Sequence, residues 1–249
     1  ILVTTKRGSK GKAAIGYNNF LGWKKATDQP KFVDGATFME LQNMGSENMG
    51  MAPIWSDTYI NEWKTNHLTD PDNYPSTNWV DETFTEPGLQ QRHQLSISGG
   101  SEEIRFFGSL SYDDERSNIP NYGFKRYSIR MNTDIYALKN LNFNFDILLL
   151  RGEQTSPSAS ISRIITDIFR IPSVYVSRYS HGGWGPAFNL NNPTAYIHDG
   201  GPSRDKTTTV RPNLGLNYKL FDALNLRVAY SPDLQIGNVK TMVKSYDIT

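Results

Sequence analysis

The feature that most constrains this chain is a strict alternation of apolar and polar residues, which returns about seven times along its length. A period of two marks β-strands that show one apolar and one polar face. The clearest run, from about Lys125 to Ile135, sets Tyr127, Ile129, Met131 and Ile135 against Arg126, Ser128, Arg130, Asn132 and Asp134. Similar runs are expected from about Lys12 to Trp23, Gln91 to Ser98 and Glu103 to Asp113. Another passes through Leu141, Phe143, Phe145, Ile147 and Leu149, and the last two cover about Thr208 to Leu220 and Leu224 to Leu234.

The connections sort into two kinds. Short turns are expected at Gly99-Gly100-Ser101-Glu102, Ala137-Leu138-Lys139-Asn140 and Phe221-Asp222-Ala223. Every alternate connection is longer, with extended loops over about 24–90 and 153–207. In an antiparallel meander alternate connections share a rim, so short turns fall on one side and long loops on the other. Outer-membrane barrels have this asymmetry. A soluble sandwich has no physical reason for it.

Composition agrees. Only 37% of residues are hydrophobic while 12% are aromatic, which suits strands with one face on lipid and one on a wet interior. The longest apolar run, Ile147 to Leu150, is far short of the ~20 residues a membrane helix needs. A formal charge of +1 gives no basic face for nucleic acid. With no cysteine there is no disulfide scaffold, thiolate metal site or cysteine nucleophile.

The long loops are not featureless. Asp34 is placed to cap a short helix carrying Phe38, Leu41 and Met44, and a second is expected over Thr58 to His67 with Ile60 and Trp63 on one side. The stretch from Thr69 to Trp79 is expected to be irregular, and a third helix is expected over Ile161 to Phe169. Gly182-Gly183-Trp184-Gly185-Pro186 reads as a flexible region around one Trp.

Catalytic chemistry finds little support. None of His67, His93, His181 and His198 stands at a metal-ligand spacing from another, and no nucleophile elbow or phosphate-binding loop occurs. Asp113-Asp114-Glu115 reads as a strand end meeting water rather than as an acid/base or calcium site. No cofactor or metal is expected. The candidate binding residues are loop aromatics, Trp184, Tyr179, Trp79 and Trp55, whose faces suit stacking on a solute. The competing reading makes them anchors of the loop folds or contacts to a partner protein. The polar strand face, with Arg126, Arg130, Asp134, Asn142, Asn144, Asp146, Asn213 and Asn217, would be the solvated side of a soluble protein and in a barrel is expected to line the interior.

Several ordered motifs resemble the SusC-like TonB-dependent transporters of the Bacteroidetes outer membrane. Ile1-Leu2-Val3-Thr4-Thr5-Lys6-Arg7-Gly8 resembles the end of that family's plug domain. Asn78-Trp79-Val80-Asp81-Glu82-Thr83-Phe84 resembles a loop motif of the family, and Gln94-Leu95-Ser96-Ile97-Ser98-Gly99-Gly100-Ser101-Glu102 a barrel hairpin. Phe106 to Tyr112, Lys125 to Asn132, Asn192-Pro193 and Asn213 to Tyr218 follow in the family's order. Ile171-Pro172-Ser173-Val174-Tyr175 departs from the pattern by lacking a second proline, and about Val239 to Thr249 matches nothing in it.

The resemblance implies an antiparallel up-and-down transmembrane β-barrel of 22 strands, of which about a third is expected here. Residues 1–8 would end the plug and 9–249 would begin the barrel, with both chain ends internal to a longer protein. It further implies active import of an oligosaccharide, or a peptide, with a SusD-like lid lipoprotein and a TonB complex as partners. A TonB-dependent receptor for a siderophore or vitamin shares the barrel without the lid. A soluble β-rich glycan-binding module is the alternative of another class, and it predicts that the apolar strand faces are covered.

Overall fold

A computed structural model describes residues 5–85 and 87–249. The strand expected at Ile1 to Thr4 lies outside the described residues. One antiparallel sheet contains β1 (Gly11–Lys24), β2 (Gly88–Gly100), β3 (Ile104–Arg116), β4 (Gly123–Leu138), β5 (Leu141–Pro157), β6 (Pro202–Phe221), β7 (Leu224–Tyr230) and β8 (Leu234–Thr241). From β1 to β7 each strand pairs with the next, the order of an up-and-down meander.

The last two strands are one ribbon with an interruption. β7 pairs with one half of β6 and β8 with the other, and Leu214↔Tyr230 and Val210↔Leu234 keep the same register. That register sets Pro232 opposite Pro212. Neither has an N–H to donate, so the ladder lapses there. Side chains span the gap instead: Arg211 Nε donates to Asp233 Oδ2 at 2.8 Å and Ser231 Oγ to Asn213 Oδ1 at 2.5 Å. The final strand, expected to end near Leu234, thus continues to Thr241.

The expected faces are present in the register. Leu95, Leu110, Ile129, Leu149, Val210 and Leu234 lie opposite one another across successive strands. None of the described residues covers this row: Leu110 is 52%, Ile129 45% and Leu234 57% exposed. On the other face Asn132 and Asp134 are buried. A soluble module would have hidden the first face and wetted the second, so that reading fails. From Tyr127 to Ile135 the apolar band runs about 27 Å along β4 at ~3.4 Å per residue. A ~40° tilt reduces this to about 21 Å, near the ~25 Å apolar height of outer-membrane barrels.

Strands outrun their alternation. β5 reaches Pro157 and β6 begins at Pro202, so the second long loop is 158–201, shorter than the expected 153–207. Beyond the apolar rows both faces are polar, as in Arg151 to Gln154 and Arg204 to Lys206. The backbone ladder continues there while the hydropathy signal vanishes.

The long connections all leave one rim and build a common cap. In the 25–87 loop lie α1 (Gly35–Asn48), α2 (Asp57–Asn66) and α3 (Trp79–Thr83). Asp34 Oδ1 accepts from Thr37 N–H at 2.7 Å, the expected cap. In the 158–201 loop lie α4 (Ile161–Ile168) and α5 (Pro193–His198). Neither α3 nor α5 was expected; each is about a turn or two long, too short for an apolar period, and is set by an Asn cap, with Pro193 opening α5.

Two buried clusters hold the cap together. Trp79 and Val80 of the first loop meet Ile119 of the 117–122 connection and Ile164, Ile168, Ile171, Ala187 and Ile197 of the second long loop. Ala36, Met39, Ile60 and Trp63 pack α1 on α2. Hydrogen bonds tie the loops at 2.9 Å from Thr77 N–H to Ser173 C=O and at 2.7 Å from Thr77 Oγ1 to Tyr175 C=O.

Candidate functional site

The short-turn end of the polar face holds the most organised constellation of charge. Residues 5–8 cross this face, and Arg7 reaches two strands at once. Its guanidinium donates to Asp146 Oδ1 at 2.5 Å and Oδ2 at 2.7 Å on β5, and to Asp134 Oδ1 at 3.1 Å on β4. A planar fork meeting a carboxylate in this bidentate way fixes orientation as well as charge.

Amides hold the carboxylates in place. Asn144 Nδ2 donates to Asp134 Oδ1 at 2.6 Å and Asn213 Nδ2 to Asp146 Oδ2 at 2.9 Å. Asn217 Nδ2 in turn donates to Asn144 Oδ1 at 3.1 Å. The crossing backbone is gripped too, since Asn132 Nδ2 donates to the Lys6 carbonyl at 2.6 Å. Gly8 lies so close to β3 that a Cβ there would sit 2.3 Å from the Phe106 nitrogen. Any side chain would lift the segment off the sheet. Of the eight polar-face residues singled out from the pattern, Asp134, Asn144, Asp146, Asn213 and Asn217 enter this network. Arg7 itself was not singled out, although the Lys-Arg-Gly run stood in the motif.

At the other end of the same face Asp113 joins three strands. It accepts from Arg92 of β2 and, at 3.2 Å, from Nε and Nη2 of Arg126 on β4. Asp113 and Asp114 are both buried, so the expectation of a strand end meeting water is corrected. The register sets Arg92 and Arg126 directly opposite Asp113, and their guanidiniums occupy its oxygens. Among the described residues no group of three His, Cys, Asp or Glu is placed to hold a metal ion.

The loop aromatics are not gathered into one site. Trp79 is 2% exposed and donates from Nε1 to the Pro172 carbonyl at 3.1 Å. Trp184 is 6% exposed, donates to Asp199 Oδ2 at 2.7 Å and carries the Arg178 guanidinium 4.7 Å from its ring centre. Both rings are enclosed by the cap and offer no open face. Trp55 is half-buried, stacked on Tyr59 at 5.7 Å, and Tyr179 is half-buried, stacked on His181 at 5.3 Å. Ser180, next to Tyr179, ties its loop to the first through Asp72 Oδ2 at 2.6 Å. The hydroxyl and backbone N–H of Ser180 hold the Asp72 carboxyl below its ordinary range.

Comparison with known proteins agrees with this geometry. No protein-family model matches the chain. Two TonB-dependent receptors of Formosa agariphila, P3 and P26, are 22% and 25% identical to it over 96% and 94% of its length. The TonB-dependent receptor SusC of Bacteroides thetaiotaomicron is 23% identical over 61%. The chain spans 23%, 22% and 14% of those three relatives. Two solved structures of the RagAB peptide transporter, one of them in an open-open state, superpose with TM-scores of 0.66 and 0.68 at 14% identity. They are matched over 95% and 98% of this chain and 30% of theirs, which establishes the shared fold.

Proposed function

We propose, from a chain related to the SusC-like TonB-dependent receptors, that the whole protein imports a large nutrient across the outer membrane by an energy-dependent route. The chain spans at most 23% of the curated relatives it matches, so transport is assigned to the protein of which it forms barrel wall and outer cap. The observation that carries the reading is the pair of faces. One is apolar and uncovered, and the other is polar and grips an incoming segment through Arg7. A wall that binds lipid outside and a plug inside needs both.

Residues 5–8 are then the end of the plug and the strands from Gly11 onward the barrel. The Arg7 clamp fixes the plug at its exit. A TonB complex pulling on the plug would work against this fixed point, shifting the population between closed and open lumen. The solute is an oligosaccharide or a peptide, held between the cap and a SusD-like surface lipoprotein that acts as its lid. Trp79 and Trp184 serve as anchors that shape the cap, leaving Trp55 and Tyr179 as the ring faces closest to solute or lid. No bond is made or broken.

Uptake by cells lacking the full-length gene, complemented with it, tests this directly. Labelled oligosaccharides or peptides should enter only with the gene present and with the proton gradient intact. Uptake that survives collapse of the gradient would end the energy-dependent reading. Purification without an accompanying surface lipoprotein would favour a siderophore or vitamin receptor.

A further inference from the structure

The outward face changes character just beyond its aromatic rim. Tyr17, His93, Tyr112 and Tyr127 follow one another across four strands with ring centres 6.3, 6.5 and 5.1 Å apart. One pleat nearer the cap, the register sets Asp114, Lys125, Glu153 and Lys206 side by side. The next row on this face holds Arg116, Thr155, Arg204 and Lys240.

The acids here are already engaged. Glu153 lies 3.0 Å from Arg151 and 3.5 Å from Lys206, and Asp114 lies 3.8 Å from Arg116. Lys125, Arg204 and Lys240 have no acidic partner among the described residues. Arg116, Lys125, Arg204 and Lys206 border an open cleft of about 320 Å³ whose wall also carries Thr155 and the paired carboxylates Asp114 and Glu153. Positive charge is thus in surplus where a barrel meets lipid headgroups.

A second feature lies below on the same strands. Gly108 leaves a depression in the apolar band, a groove of about 320 Å³ walled by Ile15, Ile97, Leu110, Ile129 and Met131. From Asp114 to Gly108 is about 20 Å along β3 at ~3.4 Å per residue. Tilted by ~40°, this is about 15 Å of depth, a little over half of the ~25 Å apolar height.

We propose that β3 and β4, with β6 beside them, bind a phosphorylated lipid of the outer leaflet. Its phosphate sits among Arg116, Lys125, Arg204 and Lys206, and an acyl chain descends toward the Gly108 groove. The proposal rests on the reading of this face as lipid-facing. Charge complementarity selects the headgroup, and the groove selects a lipid over a free anion. Each basic side chain at an anionic membrane surface strengthens binding about fivefold.

The test uses the full-length receptor, delipidated in a neutral detergent and titrated with lipid A or phosphatidylglycerol, with bound lipid counted by native mass spectrometry. Replacing Lys125, Arg204 and Lys206 by Gln together should weaken binding about a hundredfold. Gly108→Leu should weaken binding of both lipids several-fold while leaving any affinity for inorganic phosphate unchanged. A Cβ at Gly108 meets nothing closer than Ile97 Cγ2 at 3.4 Å, so the backbone has room for a side chain, and heat-modifiable gel migration checks the fold of the variant. Wild-type affinity in the triple variant would overturn the proposal. So would equal binding of diacylglycerol, which lacks the phosphate, or full competition by inorganic phosphate, which lacks the chain. A receptor soluble without detergent would instead sink the lipid-facing reading beneath it.

Discussion

Removing the Arg7 guanidinium should loosen the residues that cross the sheet. Arg7 is 37% exposed, while its partners Asp134 and Asp146 are 11% and 17% exposed. An exposed ion pair contributes ~0.2–1 kcal/mol, and breaking a buried one costs ~3–5. This clamp lies between those limits, with solvent screening one side of it, so Arg7→Gln should cost about 2 kcal/mol. That is about a thirtyfold rise in local opening. Amide hydrogen exchange over residues 5–10 of the detergent-solubilised full-length receptor reads this opening directly. Asp146→Asn should have the larger effect of the two carboxylate changes, since Asp146 receives two of the three contacts and Asp134 one. In a double-mutant cycle Arg7 and Asp146 should couple by about 1–2 kcal/mol. Coupling within about 0.3 kcal/mol of zero, with exchange over 5–10 unchanged, would refute the clamp.

Met131→Arg would place a charge at the middle of the apolar band, at a cost of ~2–4 kcal/mol in lipid. Heat-modifiable gel migration of the full-length protein should report a lower folded fraction; on a water-facing surface the change would be harmless. Trp79→Ala should destabilise the cap by ~3–5 kcal/mol, through lost packing and the vacated Pro172 carbonyl, with barrel migration intact. Faster tryptic nicking of the loops, and no change in the strands, is the expected result. The Asp72–Ser180 tether should weaken in acid. Its carboxyl is held below the ordinary value, so its contribution is present above the unfolded value of ~3.9 and is lost as pH falls through the lower folded value. The difference in pepsin nicking between wild type and Asp72→Asn should therefore narrow as pH drops below about 4.

How much of this was legible in the sequence depends on which physical effect wrote the signal. The faces were legible because lipid and water impose opposite demands on neighbouring residues, and Tyr127 to Ile135 obeys both at every position but Thr133. Strand length was not. Arg151 to Pro157 and Pro202 to Lys206 pair through backbone groups, which leave no side-chain pattern once both faces meet water. The interruption at Pro232 was readable in principle, but its partner Pro212 is a neighbour only once the register is known. The helices α1, α2 and α4 carry enough apolar spacing to be seen, whereas α3 and α5 rest on an Asn cap and on burial against other loops.

The candidate site divides along the same line. The pattern marked Asp134 and Asp146 as facing the interior, since each stands among apolar neighbours on a strand that alternates. It could not name their partner, because Arg7 is 127 positions from Asp134 and 139 from Asp146 in the chain. The aromatics failed in the opposite direction. A Trp in a polar loop looks available, but Trp79 and Trp184 sit in loops long enough to build an interior of their own. A large ring is the cheapest way to fill one, provided its N–H finds an acceptor, as Pro172 and Asp199 supply. Exposure in a long loop therefore cannot be read from loop membership. It follows from whether neighbouring loops are long enough to meet, and here three of them do.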